Sequence, residues 1–211
     1  MLKNLISIIC GGLFLYSCQS APQKLPIVGE REVVETVVDG KTVVDTIYPK
    51  IPSFQFLNQD SVMITDKLFD NKIYVANFFF THCPSICPTM QRNVLELYKA
   101  YKDDSRIAFL SHSIDFKYDS PAVLKKYATD LGVDNEQWQF VTGEKADIYG
   151  ISQNYLVFTN EDANAPGGYD HSSFLVLIDH DKHIRGTYDG TSKEQIQQLF
   201  DDVEILLQEY N

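Results

Sequence analysis

The chain has 211 residues, of which 44% are hydrophobic, so it can form one folded domain with a proper core and still carry a leader. Its formal net charge is −11, from 18 Lys and Arg against 29 Asp and Glu. This balance argues against nucleic acid as a partner, because phosphate binding needs clustered cations. The composition also excludes a chain that is disordered or of low complexity throughout.

The first 17 residues are predicted to be a leader. Lys3 precedes the apolar stretch 5–15, which is too short for a transmembrane helix. The stretch runs into Leu15-Tyr16-Ser17-Cys18, which resembles a bacterial lipobox, where the cysteine becomes the lipid-bearing first residue. We expect a lipoprotein signal peptide over 1–17 and lipidation of Cys18, with an ordinary secretory signal as the alternative. The domain is then exported and held by lipid on the periplasmic side of a bacterial membrane.

Residues 18–50 are predicted to form a tether that contains a β-hairpin. Segment 19–31 is polar and contains proline, which is typical of a flexible linker. Two β-branched runs follow, over 33–38 and 41–47, and Asp39-Gly40 joins them. Asp-Gly accepts the positive φ angles of a type I′ turn, so the pattern indicates a hairpin.

Residues 51–211 are predicted to form one α/β domain. Strands are expected over 54–57, 62–64, 73–80, 107–114, 138–141, 174–178 and 184–188, and helices over 88–101, 120–131, 145–149 and from 191 or 192 to 207. The apolar run 73–80 is typical of a central strand buried on both faces. Strands alternate with helices and a hairpin and terminal helix follow, which indicates a thioredoxin-like central mixed sheet flanked by helices, with an inserted loop over 159–168.

The segment Thr81-His82-Cys83-Pro84-Ser85-Ile86-Cys87-Pro88 carries the chemistry. A buried strand ends there, and a helix begins at about Cys87, so helical N–H groups can stabilise a thiolate. The spacing is C-x3-C rather than the C-x2-C of a thioredoxin-like redox motif, and the wider loop lets both sulfurs face one ion. Two thiolates suit Cu(I), and an added imidazole gives a trigonal site that also accepts Cu(II). An inert disulfide or two small buried residues is the alternative.

The chain has five histidines as candidates for a third ligand. His82 is adjacent to Cys83, but neighbouring loop side chains often point apart. His112 is expected to be packed in its strand, and His180 and His183 to lie on a surface turn. His171 enters the strand 174–178, and in a thioredoxin-like fold the loop entering this strand faces the active-site cysteines.

These motifs together resemble the Sco/SenC family of copper-binding assembly factors. The likeness rests on the segment 81–90, on Asp170-His171-Ser172, and on Ser113-Ile114-Asp115, and it extends from about residue 51 to the C-terminus. One departure is Phe116, where the family usually has proline; this position bears on the shape of a loop away from the ligands.

The resemblance implies a thioredoxin-like domain that binds copper through Cys83, Cys87 and His171. It also implies a function: delivering copper to, or reducing the cysteines of, the copper centre of a respiratory oxidase. Asp170 is a candidate for a weak additional ligand, or for a carboxylate that supports a ligand by hydrogen bonding to it. The expected partners are the copper subunit of the oxidase, or another copper or thiol client, and the membrane through the lipid anchor.

Two other functions remain open at this point. Cys83 and Cys87 also suit an enzyme, either a thiol–disulfide oxidoreductase or a thiol peroxidase. A histidine near the pair favours the metallochaperone, since a reductase does not need one. A redox or copper sensor is a third hypothesis.

Overall fold

A computed structural model describes residues 24–133 and 136–210, so the predicted signal peptide and Cys18 lie outside the described residues. In chain order, the strands are β1 (Glu32–Val38), β2 (Lys41–Ile47), β3 (Gln55–Asn58), β4 (Met63–Thr65), β5 (Ile73–Phe79), β6 (Ile107–Ser113), β7 (Trp138–Thr142), β8 (Thr159–Glu161), β9 (Tyr169–His171), β10 (Phe174–Ile178) and β11 (Ile184–Asp189). The helices are α1 (Cys87–Tyr101), α2 (Pro121–Leu131), α3 (Lys145–Asn154) and α4 (Lys193–Glu209).

Seven of these strands form one mixed sheet, in the order β11-β10-β5-β6-β7-β3-β4. The central strands β5, β6 and β7 run parallel, because α1 and α2 return the chain to the same end of the sheet each time. β10 and β3 join antiparallel on the two sides, and β11 and β4 complete the edges. This confirms the predicted thioredoxin-like mixed sheet with flanking helices.

The core lies on both faces of the parallel strands. Every residue of β5, β6 and β7 is buried, which is what the unbroken apolar run of β5 predicted. Helix α2 begins after Ser120, whose side chain accepts the Val123 N–H, and ends at Gly132 in the left-handed conformation, as a helix cap requires. The buried core therefore holds the carboxyl ends of β5 and β6 rigidly, and the candidate site lies at these ends.

The predicted hairpin is confirmed as β1 and β2, a two-stranded ribbon outside the main sheet. Asp39 and Gly40 both have positive φ, 51° and 73°, as a type I′ turn requires. The chain just before the ribbon differs from the flexible linker that was predicted. Arg185 holds it, since its guanidinium donates to the carbonyl oxygens of Leu25 at 2.6 Å and Pro26 at 3.2 Å.

The inserted segment is more ordered than predicted. Residues 159–168 were expected to be a loop, but Thr159–Glu161 and Tyr169–His171 pair as a short antiparallel ribbon, β8 with β9. The preceding helix α3 runs to Asn154, well beyond the predicted end at Tyr149, because Ile148 and Ile151 continue its buried face. Within the described residues, no helix is both long enough and apolar enough to span a bilayer.

Candidate metal centre

The two cysteines of the domain lie between β5 and α1: Cys83 is in the connecting loop, and Cys87 is the first residue of the helix. The loop after β5 turns back on itself, so that the Cys83 N–H donates to the Phe80 carbonyl oxygen at 3.3 Å. Helix α1 then begins at Cys87, with Pro88 in its first turn, where a missing N–H removes no helical hydrogen bond. The N-cap residue, Ile86, has an aliphatic side chain that caps nothing, but its carbonyl oxygen accepts the N–H groups of Thr89 at 3.1 Å and Met90 at 3.0 Å. The positive end of the helix dipole still lies beside Cys87 and favours a thiolate there.

His171 reaches the cysteines from the β8–β9 ribbon. It is the last residue of β9 and is 9% exposed. Its Nδ1 lies 3.1 Å from the Ser172 carbonyl oxygen. Because a carbonyl oxygen only accepts hydrogen bonds, this contact places the ring proton on Nδ1 and leaves the Nε2 lone pair free for another partner. Nε2 lies 3.4 Å from the Cys87 Sγ atom.

Cys83, Cys87 and His171 each offer one donor atom, and the three atoms lie within 4.8 Å of one another. In the described ranges 24–133 and 136–210, no other group of three or more His, Cys, Asp or Glu side chains has this proximity. All three side chains are buried. The structure therefore brings together the three residues that the sequence nominated, and two sulfurs with one imidazole nitrogen are a donor set that suits copper.

The two thiols are not equivalent. A hydrogen bond from Cys87, helped by hydrogen bonds from the side chain and backbone of Ser85, lowers the pKa of the Cys83 thiol to about 3. Cys87 is the donor of that bond and lies deeper, at 1% exposure, and both facts raise the pKa of its thiol. Cys83 is accordingly the more acidic thiol of the pair and Cys87 the less acidic one.

A buried carboxylate braces the loop that carries Cys83. Asp119 accepts hydrogen bonds from the Thr81 N–H at 3.0 Å and from the Thr81 hydroxyl at 2.5 Å. It also accepts one from the Ser113 hydroxyl at the end of β6, at 2.6 Å. Burial is the largest influence on this carboxyl and raises its pKa above the ordinary value. Asp119 thus ties the β5–α1 loop to the neighbouring strand, two residues before Cys83.

A second carboxylate, that of Asp115, connects the β8–β9 ribbon, which carries His171, to the loop after β6. Asp115 accepts hydrogen bonds from the Tyr169 hydroxyl at 2.9 Å and from the backbone N–H groups of Lys117 and Tyr118, both at 3.1 Å. Its other oxygen lies 3.5 Å from His82 Nε2. Tyr169 is two residues before His171 on β9, so Asp115 fixes the ribbon relative to the loop after β6.

Close packing also holds the ribbon against the cysteine loop. The Phe80 ring is buried between Tyr169 and His171, at centroid distances of 5.0 and 5.8 Å. Gly167, in the turn of the ribbon, has φ of +77°, and a Cβ atom there would come within 2.7 Å of the Phe80 ring. Both the positive φ angle and the close approach of the Phe80 ring require glycine at position 167.

The remaining histidines stay outside the group of three donors, as the sequence predicted. His82 turns toward Asp115, and 44% of its side chain is exposed. His112 is fully buried and stacks on Phe78 at 4.5 Å, and burial lowers its pKa to about 3. His180 and His183 lie at the turn between β10 and β11, at the opposite end of the sheet from the cysteines.

Asp170 and Phe116 both lie outside the metal-binding group. Asp170 is exposed and its backbone pairs with Asn160 across the ribbon. The ring of Phe116 lies 5.2 and 5.7 Å from the ammonium groups of Lys117 and Lys145, so the phenylalanine at this position packs beneath two cations. The departure from proline therefore affects this loop and leaves the three donors unchanged.

Sequence reasoning missed Asp119 as a residue of the site. Asp119 directly precedes Ser120 and Pro121, which read as an ordinary helix start, so nothing in the local pattern points to a role beside Cys83. Ser113 and Asp115 were noted only as part of a resemblance, and the structure supplies their physical roles.

Comparison with known proteins agrees with this geometry. The profile of the SCO1/SenC family matches residues 46–208, which is most of the chain. The chain belongs to the SCO1/SenC family. A SCO1/SenC family lipoprotein from Bacillus anthracis superposes with a TM-score of 0.69 at 29% identity, covering 75% of this chain and 95% of the other.

Two further Sco structures are similar. Bradyrhizobium japonicum ScoI with copper bound gives a TM-score of 0.62 at 25% identity, over 74% of this chain and 98% of that chain. BsSco is a member of the Sco family of cytochrome c oxidase assembly proteins, and a disulfide switch was identified in it. It gives a TM-score of 0.62 at 26% identity, over 75% of this chain and 93% of that chain.

Proposed function

We propose that this Sco protein is a metallochaperone that binds copper through Cys83, Cys87 and His171. It delivers copper to, or reduces the cysteines of, the copper centre of a respiratory oxidase. The observation that carries the proposal is the convergence of two sulfurs and one imidazole nitrogen within 4.8 Å at the start of a helix. The copper is cargo, so the site must accept the ion and also release it.

The donor set favours copper over the common alternatives. A structural zinc ion normally has four protein ligands, whereas the donor group in the described residues has three. Thiolates are soft donors suited to Cu(I), and the unprotonated Nε2 of His171 adds the harder nitrogen that Cu(II) prefers. The pKa of the Cys83 thiol is lowered and that of Cys87 is raised, so Cys83 loses its proton to copper more readily than Cys87 does.

Family membership supports the oxidase as the destination of the copper. The family relative BsSco is described as a cytochrome c oxidase assembly protein, and ScoI of Bradyrhizobium japonicum holds copper. The direct partner is then the copper-binding subunit of the oxidase or another copper or thiol client. A lipid on Cys18 would keep the domain at the membrane where such an oxidase resides, and the Bacillus anthracis relative is likewise a lipoprotein.

Thiol–disulfide exchange is a second function, favoured by the asymmetry of the two thiols. The Cys83 thiolate attacks a disulfide of the client and forms a mixed disulfide, and one client sulfur leaves as a thiolate. Cys87 then gives its proton to the first client thiolate, and its sulfur attacks the Sγ atom of Cys83, which releases the second client sulfur as a thiolate. The client gains two electrons and Cys83 and Cys87 become a disulfide, a form that cannot bind copper through its sulfurs.

The test of copper binding is a titration of the reduced protein with Cu(I) and with Cu(II). We expect one copper per chain in the wild type, and loss of stable binding in Cys83→Ser and in Cys87→Ser. Ser105→Ala is the control, because Ser105 is exposed on the turn before β6 and lies outside the donor group, so this variant should still bind one copper. Full-strength binding by the double cysteine variant would refute the proposed site.

A further inference from the structure

The β1–β2 hairpin has no role in the copper site. Almost all of it precedes residue 46, where the family match begins. Six large aliphatic side chains on it are between 45% and 74% exposed: Val33, Val37, Val38, Val43, Val44 and Ile47. A two-stranded hairpin standing alone in water is marginally stable at best, so an exposed ribbon of this composition is a candidate for pairing with another strand.

The hairpin is rooted at the end of the domain that lies away from the copper site. Before it, the Val28 N–H donates to the Ile184 carbonyl oxygen at 2.8 Å; after it, the Ile51 N–H donates to the Lys182 carbonyl oxygen at 2.8 Å. Ile184 begins β11, whose other end, Asp189, pairs with the start of β10 beside the His171 ribbon. A partner bound to the hairpin therefore leaves the cysteines accessible.

The register of the hairpin determines which backbone groups face outward. Val38 and Lys41 flank the two-residue turn and form its first hydrogen-bonded pair. Because the pattern alternates along an antiparallel pair, the N–H and C=O groups of Thr42, Val44 and Thr46 point away from β1. In the described parts of the chain, β2 pairs only with β1, so this outer edge is open to another strand.

The sequence of this edge is complementary to itself. If two copies of β2 lie antiparallel with the two-fold axis at Val43, then Thr42 of each copy pairs with Val44 of the other through their outward backbone groups. In the same register, Lys41 lies directly opposite the partner's Asp45, and the reverse pair forms by symmetry. These are non-hydrogen-bonded positions, where facing side chains are closest, so the two Lys–Asp pairs and the central Val43 pair are in contact distance.

We propose that the outer edge of β2 is a self-association surface, on which two copies of this chain form a four-stranded sheet centred on Val43. Moving the register by two residues in either direction separates the opposite charges. A charged edge strand also discourages pairing with strands that lack the complementary charge, which selects for a second copy. The β1 edge offers no such complementarity, since it contains Glu32 and Glu35 and no cation.

The experiment is site-specific cross-linking of the full chain in membranes of the expressing cells, with a short bis-maleimide. A background with Cys83→Ser and Cys87→Ser removes the two domain thiols. Val43→Cys is then expected to give a cross-linked dimer, because the axis brings the two introduced thiols together. Val33→Cys is the control: this valine on the other strand is more exposed than Val43, at 61% against 45%, and it should nevertheless stay monomeric.

Charge reversal then tests the register. Lys41→Asp places like charges opposite each other twice and should reduce the cross-linked yield of Val43→Cys by about tenfold. Adding Asp45→Lys restores both pairs and should restore the yield. The proposal is overturned if Val43→Cys remains monomeric in a chain whose circular dichroism is native, if Val33→Cys cross-links equally, or if Lys41→Asp has no effect. A cross-linked product whose mass differs from two copies would identify another protein as the occupant, and would also overturn it.

Discussion

Asp119 provides a sharp test of how the copper-site loop is held. Its carboxyl is fully buried and accepts three hydrogen bonds, two from Thr81 and one from Ser113. Asp119→Ala removes the acceptor and leaves the buried donors without a partner. A hydrogen bond to a charged group contributes about 1.5–3 kcal/mol, and an unsatisfied buried donor costs about 1–3 kcal/mol.

The net effect is smaller than the sum of these values, because the variant also removes a carboxylate whose burial is itself unfavourable. We expect Asp119→Ala to lower the free energy of unfolding by about 2–3 kcal/mol at neutral pH. Asp119→Asn keeps the volume and one acceptor oxygen, and should cost about 1 kcal/mol. Asp103→Ala, on an exposed turn, is the control and should stay within about 0.5 kcal/mol.

Urea unfolding followed by the fluorescence of Trp138 measures these differences, since this residue is the only tryptophan and is fully buried. With a slope of about 2 kcal/mol/M, Asp119→Ala should move the midpoint down by about 1–1.5 M. An unchanged midpoint, or an asparagine variant as unstable as the alanine variant, would refute the view that Asp119 acts as a hydrogen-bonded brace.

The pH dependence of the same variants has a defined sign. Burial raises the pKa of Asp119 above its ordinary 3.8, so the folded state holds the proton more tightly than the unfolded chain does. The contribution of this group to stability is therefore complete below pH 3.8 and is lost as the pH rises through the folded pKa. The difference in free energy of unfolding between wild type and Asp119→Asn should therefore narrow as the pH rises from 3.8 through the folded pKa of Asp119. A difference that widened would contradict a raised pKa for this carboxyl.

Three further outcomes are expected. His171→Ala should weaken Cu(II) binding far more than Cu(I) binding in an absorption titration, while His180→Ala leaves both unchanged; equal Cu(II) affinity would make His171 structural. Cys18→Ser should release the protein from membranes or leave it unprocessed in a fractionation experiment, with Cys10→Ser as control, and normal anchoring of Cys18→Ser would contradict lipidation. Hydrogen bonds from Thr191 lower the pKa of Asp189, so Asp189→Asn should lower the free energy of unfolding by about 1 kcal/mol at pH 7. In urea titrations at lower pH this loss should become progressively smaller, because the wild-type carboxylate is protonated there. A loss that stayed constant with pH would show that the carboxylate charge of Asp189 does not cause it.

The sequence predicted the regular parts of the fold because each had a strong local signal. β5 is an unbroken apolar run, and the hairpin is marked by Asp-Gly between β-branched residues. The cysteines were found for the same reason, since their strand–loop–helix position is local. His171 needed more than local signal: its position before β10 suggested it, and the family resemblance decided it.

The parts that escaped prediction depend on contacts between distant segments. β8 and β9 have little apolar alternation, and they are held as a ribbon by Asp115 and by packing of Gly167 on Phe80. Asp119 looks like part of a helix start, and its partners lie on another loop and strand. The segment at Leu25 is bound by Arg185, 160 residues away along the chain. The hydrophobic periodicity of a single segment cannot reveal contacts between residues that are far apart in the sequence.

The same division between local and distant contacts distinguishes how the site would bind the two oxidation states of copper. Cys83 and Cys87 are four residues apart and can approach one ion within a single loop, so Cu(I) needs little of the fold to be in place. His171 joins them only when the ribbon is docked on Phe80 and Asp115, so the nitrogen that Cu(II) requires is present only in the folded domain. A ligand that binds the folded state alone stabilises it, so bound Cu(II) should stabilise this domain more than bound Cu(I) does, and release of the ribbon should favour release of Cu(II).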